Sequence, residues 1–380
     1  MMRNKKLGIY IHIPFCARKC YYCDFLSAPE TRETKERYLS LLDREMQLYK
    51  EIVSAREADT LFIGGGTPSF LETDLTDKLL CSVKKWILHG NLKEFTIECN
   101  PNSVTEEKLN LYKEAGVTRI SLGMQSACDE ELKKLGRLHS VKEFERTYEL
   151  VRKHGFERVN IDVMAAIPGQ TIESYKHTLE YVVGLSPEHI SSYSLIIEEG
   201  TPFYEKYREN PPVDEDTDRQ MYDLTKEILG RHGYHRYEIS NYAKEGQECI
   251  HNLKYWQGGD YLGLGLGAAS CMEHERWSNV RGLTDYEDRI CCGQKPVEYT
   301  EELGEEEQKA EFMFLGLRCM EGVSAERFEK RFHQSVEERY GKVLHKYENM
   351  GLMRFVNGNW QLTEQGIDVS NHIFADFLPE

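Results

Sequence analysis

The chain has 380 residues, 40% of them hydrophobic and 11% aromatic, which is enough for one large domain with its own core plus a small second one. Its 48 Lys/Arg against 64 Asp/Glu leave a net charge of −16, which excludes an extended nucleic-acid footprint or an anionic-membrane patch as a whole-chain property. Eleven cysteines without a secretory signal point to a reducing, cytoplasmic setting, and no stretch approaches the ~18 apolar residues of a membrane span. The opening Met1–Lys6 and the apolar run behind it mimic a signal peptide, but the run is short, alternates like a strand and contains His12.

The first predicted strand, Leu7–Ile13, sets Ile9, Ile11 and Ile13 on one face and Tyr10 and His12 on the other. Directly behind it Cys16, Cys20 and Cys23 stand in C-x3-C-x2-C spacing. Zinc would need a fourth ligand, normally from a second cysteine pair, and no further C-x2-C follows: Cys81, Cys99, Cys128, Cys249, Cys271 and Cys319 are isolated and Cys291–Cys292 are adjacent. Three thiolates on one loop instead suit three corners of a cubane [4Fe–4S] cluster, leaving the fourth iron open to a small ligand.

Further strands are expected at Asp59–Ile63, Phe95–Cys99, Arg119–Met124, Arg158–Met164 and His189–Ile196. Between them lie helical patterns at Lys35–Ser54, Asp74–Leu88, Thr105–Ala115, Val141–His154 and Ile172–Val183. Six βα units at this spacing predict an α/β fold, a parallel sheet with right-handed crossovers that forms an open or closed barrel. In such barrels the chemistry sits at the carboxyl ends of the strands, the face that carries the cysteine loop. Gly64–Gly65–Gly66–Thr67–Pro68 falls on the same face, where consecutive glycines let the backbone approach a ligand. So do Glu98, Gln125, Arg137 and Asp162, on or just after successive strands; a polar residue in a buried strand is costly unless it is paired or binds something. Any one of them could be a satisfied core hydrogen bond, but four on one face point to a ligand site.

Beyond Glu198 come a helix at Arg219–His232 and an aromatic-rich region to about Pro296. From Glu301 the pattern is three helices (Glu305–Leu317, Ser324–Phe332, Val336–Met350), a hairpin with Asn357–Gly358 at its turn, and a closing helix Glu364–Phe377. This reads as a small winged-helix-like domain. Residues 320–380 carry 7 Lys/Arg and 10 Asp/Glu, so a structural or partner-docking role is favoured over nucleic acid. The expected division is 1–232 for the barrel, 233–300 for a connecting region and 301–380 for the C-terminal domain.

The cysteine spacing resembles that of the radical S-adenosylmethionine (SAM) superfamily. Together with GGGTP, Glu98–Cys99–Asn100–Pro101, Gly123–Met124–Gln125–Ser126 and Ile161–Asp162–Val163…Pro168–Gly169–Gln170, it resembles the oxygen-independent coproporphyrinogen III oxidases and their relatives over nearly the whole chain. The resemblance implies a partial, TIM-like (β/α)6 radical SAM barrel in which Cys16, Cys20 and Cys23 hold the cluster and Tyr10 lies beside cluster-bound SAM. It further implies that Gly65, Gly66 and Thr67 line the methionine end, Glu98 touches the ribose, Gln125, Arg137 and Asp162 complete the pocket, and Tyr22 stacks near the adenine. Two departures weigh against propionate decarboxylation: Phe25 stands where the oxidases carry a further cysteine, and only fifteen residues precede Cys16. His251–Asn252–Leu253–Lys254–Tyr255–Trp256 is similar to the HNxxYW signature of the heme-chaperone (HemW-like) branch, which implies heme as cargo, with His251, Tyr255 and Trp256 as its contacts. Implied partners are recipient hemoproteins, a reducing electron donor and, in passing, a membrane protein.

Overall fold

The computed structural model describes residues 6–90 and 92–379, so the charged residues 1–5 ahead of the first strand lie outside it. Six parallel strands form in the expected places: β1 (Lys6–Ile13), β2 (Glu57–Gly65), β3 (Glu94–Cys99), β4 (Arg119–Gln125), β5 (Arg158–Ala165) and β6 (His189–Ser194). They pair in sequence order, each parallel to the next. Alternation along them sorts the side chains. In β5, Val159, Ile161 and Val163 are fully buried in the main core, while Asn160 and Asp162 take the opposite face.

The region 235–302 extends this sheet at both ends. β8 (Asn241–Ala243) adds antiparallel to β6 and β7 (His235–Arg236) antiparallel to β8, whereas β9 (Tyr261–Leu264) lies parallel to β1 and leads into β10 (Ala269–Met272), β11 (Glu275–Asn279) and β12 (Val297–Glu302). The twelve-stranded order β12-β11-β10-β9-β1-β2-β3-β4-β5-β6-β8-β7 does not close, so the barrel is partial. Glu45 ties the added strands to the helix Arg32–Leu48: its carboxylate accepts from Gly265 N, Asn279 Nδ2 and Tyr286 Oη, and burial raises it to about 7.

The C-terminal part packs its own core around Phe328, Leu344, Trp360 and Phe377, with a three-stranded antiparallel sheet of β13 (Val323–Ser324), β14 (Met353–Val356) and β15 (Asn359–Leu362) in the order β13-β15-β14. Two long helices expected from the sequence are broken. Lys35–Ser54 divides at Tyr49, whose N–H is shared between Glu45 O and Met46 O. The closing helix divides into Glu364–Asp368 and Ser370–Ala375 at Val369, a β-branched residue with φ −117°. Among the described residues no helix is long and apolar enough to cross a membrane.

Candidate functional site

The cysteine loop closes on itself before it reaches anything else. Cys16 N donates to Ala28 O and Ala28 N to Pro14 O, pinning the loop base, and at its tip Tyr21 N donates to Leu135 O while Phe203 N donates to Tyr21 O. Cys16 is thereby buried and Cys20 and Cys23 are half-buried, and burial pushes the Cys16 and Cys23 thiols up. A metal bound there has to displace their protons.

The glycine turn is stitched to this loop, Gly66 N donating to Ile13 O and Thr67 N to Phe15 O. A Cβ on Gly66 would sit 2.6 Å from Phe15 O, and Gly65 combines φ +115° with the His12 ring 2.7 Å from where its Cβ would be. Only glycine lets the backbone run this close.

One cavity of about 380 Å³ lies beneath, within the range of small-molecule sites. Cys16, Cys20, Cys23, Tyr22, Gly65, Gly66, Thr67, Glu98, Gln125, Arg137 and Asp162 all line it, so eleven of the residues expected from the sequence meet around one space. Tyr10 stands apart: it is not among the lining residues, its hydroxyl bonds His12 Nδ1 at 3.0 Å, and its ring lies 6.2 Å from Phe62, which does line the cavity.

Glu98 Oε2 accepts from Gly65 N at 3.0 Å. Burial, with the Asp162 charge nearby, raises Glu98 to about 8, and burial likewise raises Asp162, which accepts from Asn160 Nδ2 at 2.7 Å. Gln125 ends β4 at a bulge with φ 70° and its Oε1 accepts from Tyr193 Oη; such strain in a non-glycine residue is held only by its surroundings. Arg137 donates from Nη2 to Gly123 O at 2.6 Å and brings Nη1 to 4.0 Å from Cys20 Sγ, while its Nε is buried without a partner. The set thus offers soft sulfur at one end, acceptors and a cation along the walls, and backbone at the turn. Among the described residues no three His, Cys, Asp or Glu side chains converge on a single ion position. A cubane does not ask for that, since each thiolate takes its own iron.

Several lining residues escaped the sequence reading: Thr96, Ser121, Asn160, His189, Ser191 and Tyr193. The signal was present. They occupy alternate positions of β3 to β6, in phase with Glu98, Gly123, Asp162 and one another.

The HNxxYW segment folds as a short helix, Ile250–Trp256, and forms the cavity floor, to which Cys249 and Asn252 contribute directly. Glu94 caps it, accepting from Ile250 N, His251 N and Cys249 Sγ, each at 3.1 Å, and pairs with Arg119 at 3.2 Å. His251 is 1% exposed, stacks on Phe62 at 5.3 Å, and has Nδ1 2.9 Å from Thr60 Oγ1 and Nε2 2.8 Å from Tyr255 Oη. Burial drives it down to about 3, so the ring is neutral. His251 is not among the residues lining the cavity, and both of its ring nitrogens meet hydroxyls. Trp256, at the far end, stacks beneath the Arg318 guanidinium at 4.4 Å.

The family description of the radical SAM superfamily matches residues 10–182, and that of the HemN C-terminal domain matches residues 303–369. The chain is 38% identical to the heme chaperone HemW of Bacillus subtilis, over 98% of this chain and 99% of that one. It is 33% identical to the heme chaperone HemW of Escherichia coli, over the full length of both. The solved structure of coproporphyrinogen III oxidase (HemN) from Escherichia coli, at 21% identity, superimposes with a TM-score of 0.87 over 99% of this chain and 91% of that one, which establishes the shared fold. By its full-length similarity, the chain belongs to the HemW heme-chaperone family of the radical SAM superfamily.

Proposed function

We propose that the chain holds a [4Fe–4S] cluster on Cys16, Cys20 and Cys23, binds SAM in the adjoining cavity, and carries heme to recipient hemoproteins with electrons from a reducing donor. The observation that carries the cofactor reading is the meeting of three cysteine sulfurs, a glycine turn and the Glu98–Asp162–Arg137 set around one space of about 380 Å³. When bound, the cluster and SAM together supply one-electron reduction of a sulfonium group. The chain's own residues bind and orient. Gly65 and Gly66 keep side chains away from the methionine end, Glu98 and Asp162 present oxygens toward hydroxyls, and Arg137 holds positive charge beside the Cys20 thiolate. In this reading residues 1–232 hold the cofactors, 233–300 supply sheet edges and floor, and 301–380 serve docking.

Glu98→Gln is expected to weaken SAM binding about tenfold at pH 9, where the native carboxyl is ionised and one charge-assisted hydrogen bond is lost, with cluster content unchanged. The same variant has a pH signature. Because folding raises Glu98, its contribution is fully present below the ordinary carboxylate range and is lost as pH rises toward 8. The melting temperature of the ligand-free variant, relative to the native chain, should therefore increase from pH 5 to pH 9; a pH-independent difference would mean that Glu98 is not desolvated.

The functional reading is tested by giving the anaerobically reconstituted protein heme and coproporphyrinogen III side by side. The expected result is about one heme per chain with a defined absorption band and no decarboxylation. Conversion of coproporphyrinogen III without heme retention would make the protein an oxidase.

A further inference from the structure

Around the cavity mouth the surface changes character. Phe25 is 62% exposed and Ile196 68%, and Tyr21, Leu138 and Tyr193 are exposed as well. These five come from the segments following β1 and β4 and from the end of β6 and its loop, and three of them meet at the cavity. Phe25, Leu138 and Tyr193 line the same cavity mouth, the Tyr21 ring lies over Gly136 two residues from Leu138, and Ile196 sits between Leu195 and Ile197, which pack with Tyr22 and Phe203. Large apolar side chains gathered at the lip of a polar cavity mark a surface that something covers.

The chemistry of the lip narrows the occupant. Arg18 and Lys19 line it too, both exposed in a chain of net charge −16, and Arg18 Nη2 donates to Gly136 O at 2.7 Å, which holds its guanidinium beside Leu138. The acidic residues of these loops are Asp24 on the cysteine loop and Glu198 and Glu199 beyond Ile196. A flat, apolar molecule with carboxylates along one edge suits this arrangement: its faces cover Phe25 and Ile196, and its anionic edge lies toward Arg18 and Lys19. Heme has that shape and charge.

We propose that heme binds across this lip, over the SAM cavity, rather than on the buried HNxxYW helix. This rests on the heme-carrying reading above and locates the cargo within it. His251 then acts as a floor residue, both of its ring nitrogens taken by hydroxyls. Phe25, where the oxidases carry a cysteine, becomes a contact surface for the macrocycle.

The test is heme titration, followed by absorbance, of the full-length reconstituted protein and of Phe25→Glu, Ile196→Glu, the Arg18→Glu/Lys19→Glu double variant and His251→Gln. The three lip variants are expected to bind heme at least tenfold more weakly at native melting temperature, because the altered side chains are exposed, with heme affinity compared at matched iron content and matched SAM occupancy. Phe25→Leu should restore tight binding. His251→Gln, whose amide can still meet both hydroxyls, should keep one heme per chain. Native heme affinity in all lip variants, or loss of heme in His251→Gln alone, overturns the location and leaves the carrier reading standing. A native protein that takes up no heme overturns both.

Discussion

Replacing Cys16, Cys20 and Cys23 together with Ala is expected to abolish cluster binding while leaving the fold intact. The loop is shaped by backbone hydrogen bonds at its base and tip, none of which involves sulfur. The surrounding core is likewise independent of the thiols. Iron and acid-labile sulfide should fall to background in the triple variant, and the spectral change that SAM induces in the reduced native protein should vanish. The melting temperature should match that of the native chain stripped of its cluster. Reconstituted native protein should melt higher than both, because a ligand that binds only the folded state stabilises it. A full iron and sulfide complement in the triple variant, or tetrahedral zinc in the native protein, would falsify the cluster assignment.

Glu94→Ala is expected to be among the most destabilising single changes, at about 3–5 kcal/mol. Glu94 and Arg119 are buried partners, and the same carboxylate also takes the Ile250 and His251 N–H groups and the Cys249 thiol. Its removal leaves a guanidinium inside the barrel with, among the described residues, the Gln247 and Glu248 carbonyls to accept from it, and leaves the start of the Ile250–Trp256 helix uncapped. Urea unfolding should show a lower midpoint at unchanged slope. Glu94→Gln, which keeps an acceptor, should lose less. Because Cys249 and Asn252 line the cavity, SAM affinity should fall as well. Native-like stability in Glu94→Ala would mean that the helix is held mainly by its apolar contacts.

The amino-acid sequence on its own was enough for the six βα units, the cysteine loop and the cluster of Glu98, Gln125, Arg137 and Asp162, because each is a local signal. Strand alternation, a C-x3-C-x2-C spacing and a polar residue in an apolar run are all visible within a few positions. The C-terminal hairpin was legible for the same reason, through Asn357–Gly358. The broken helices at Tyr49 and Val369 were not, since a period of 3.6 continues across a one-residue break.

Only the tertiary structure decided what 233–300 does. Pairing of β9 with β1, some 250 residues apart in sequence, depends on the twist of the six-stranded sheet leaving an unpaired edge beside β1. The fate of His251 was decided in the same way. Read along the chain, HNxxYW lies outside the βα units as a candidate heme contact; in the fold Glu94 and Arg119 draw the helix into the barrel and both His251 ring nitrogens meet hydroxyls. The exposed lip was equally invisible, because Tyr21 and Phe25, Leu138, and Tyr193 and Ile196 lie on three segments far apart in sequence. Local spacing records which residues can do chemistry, whereas curvature and strand pairing decide which of them share a cavity and which face the solvent.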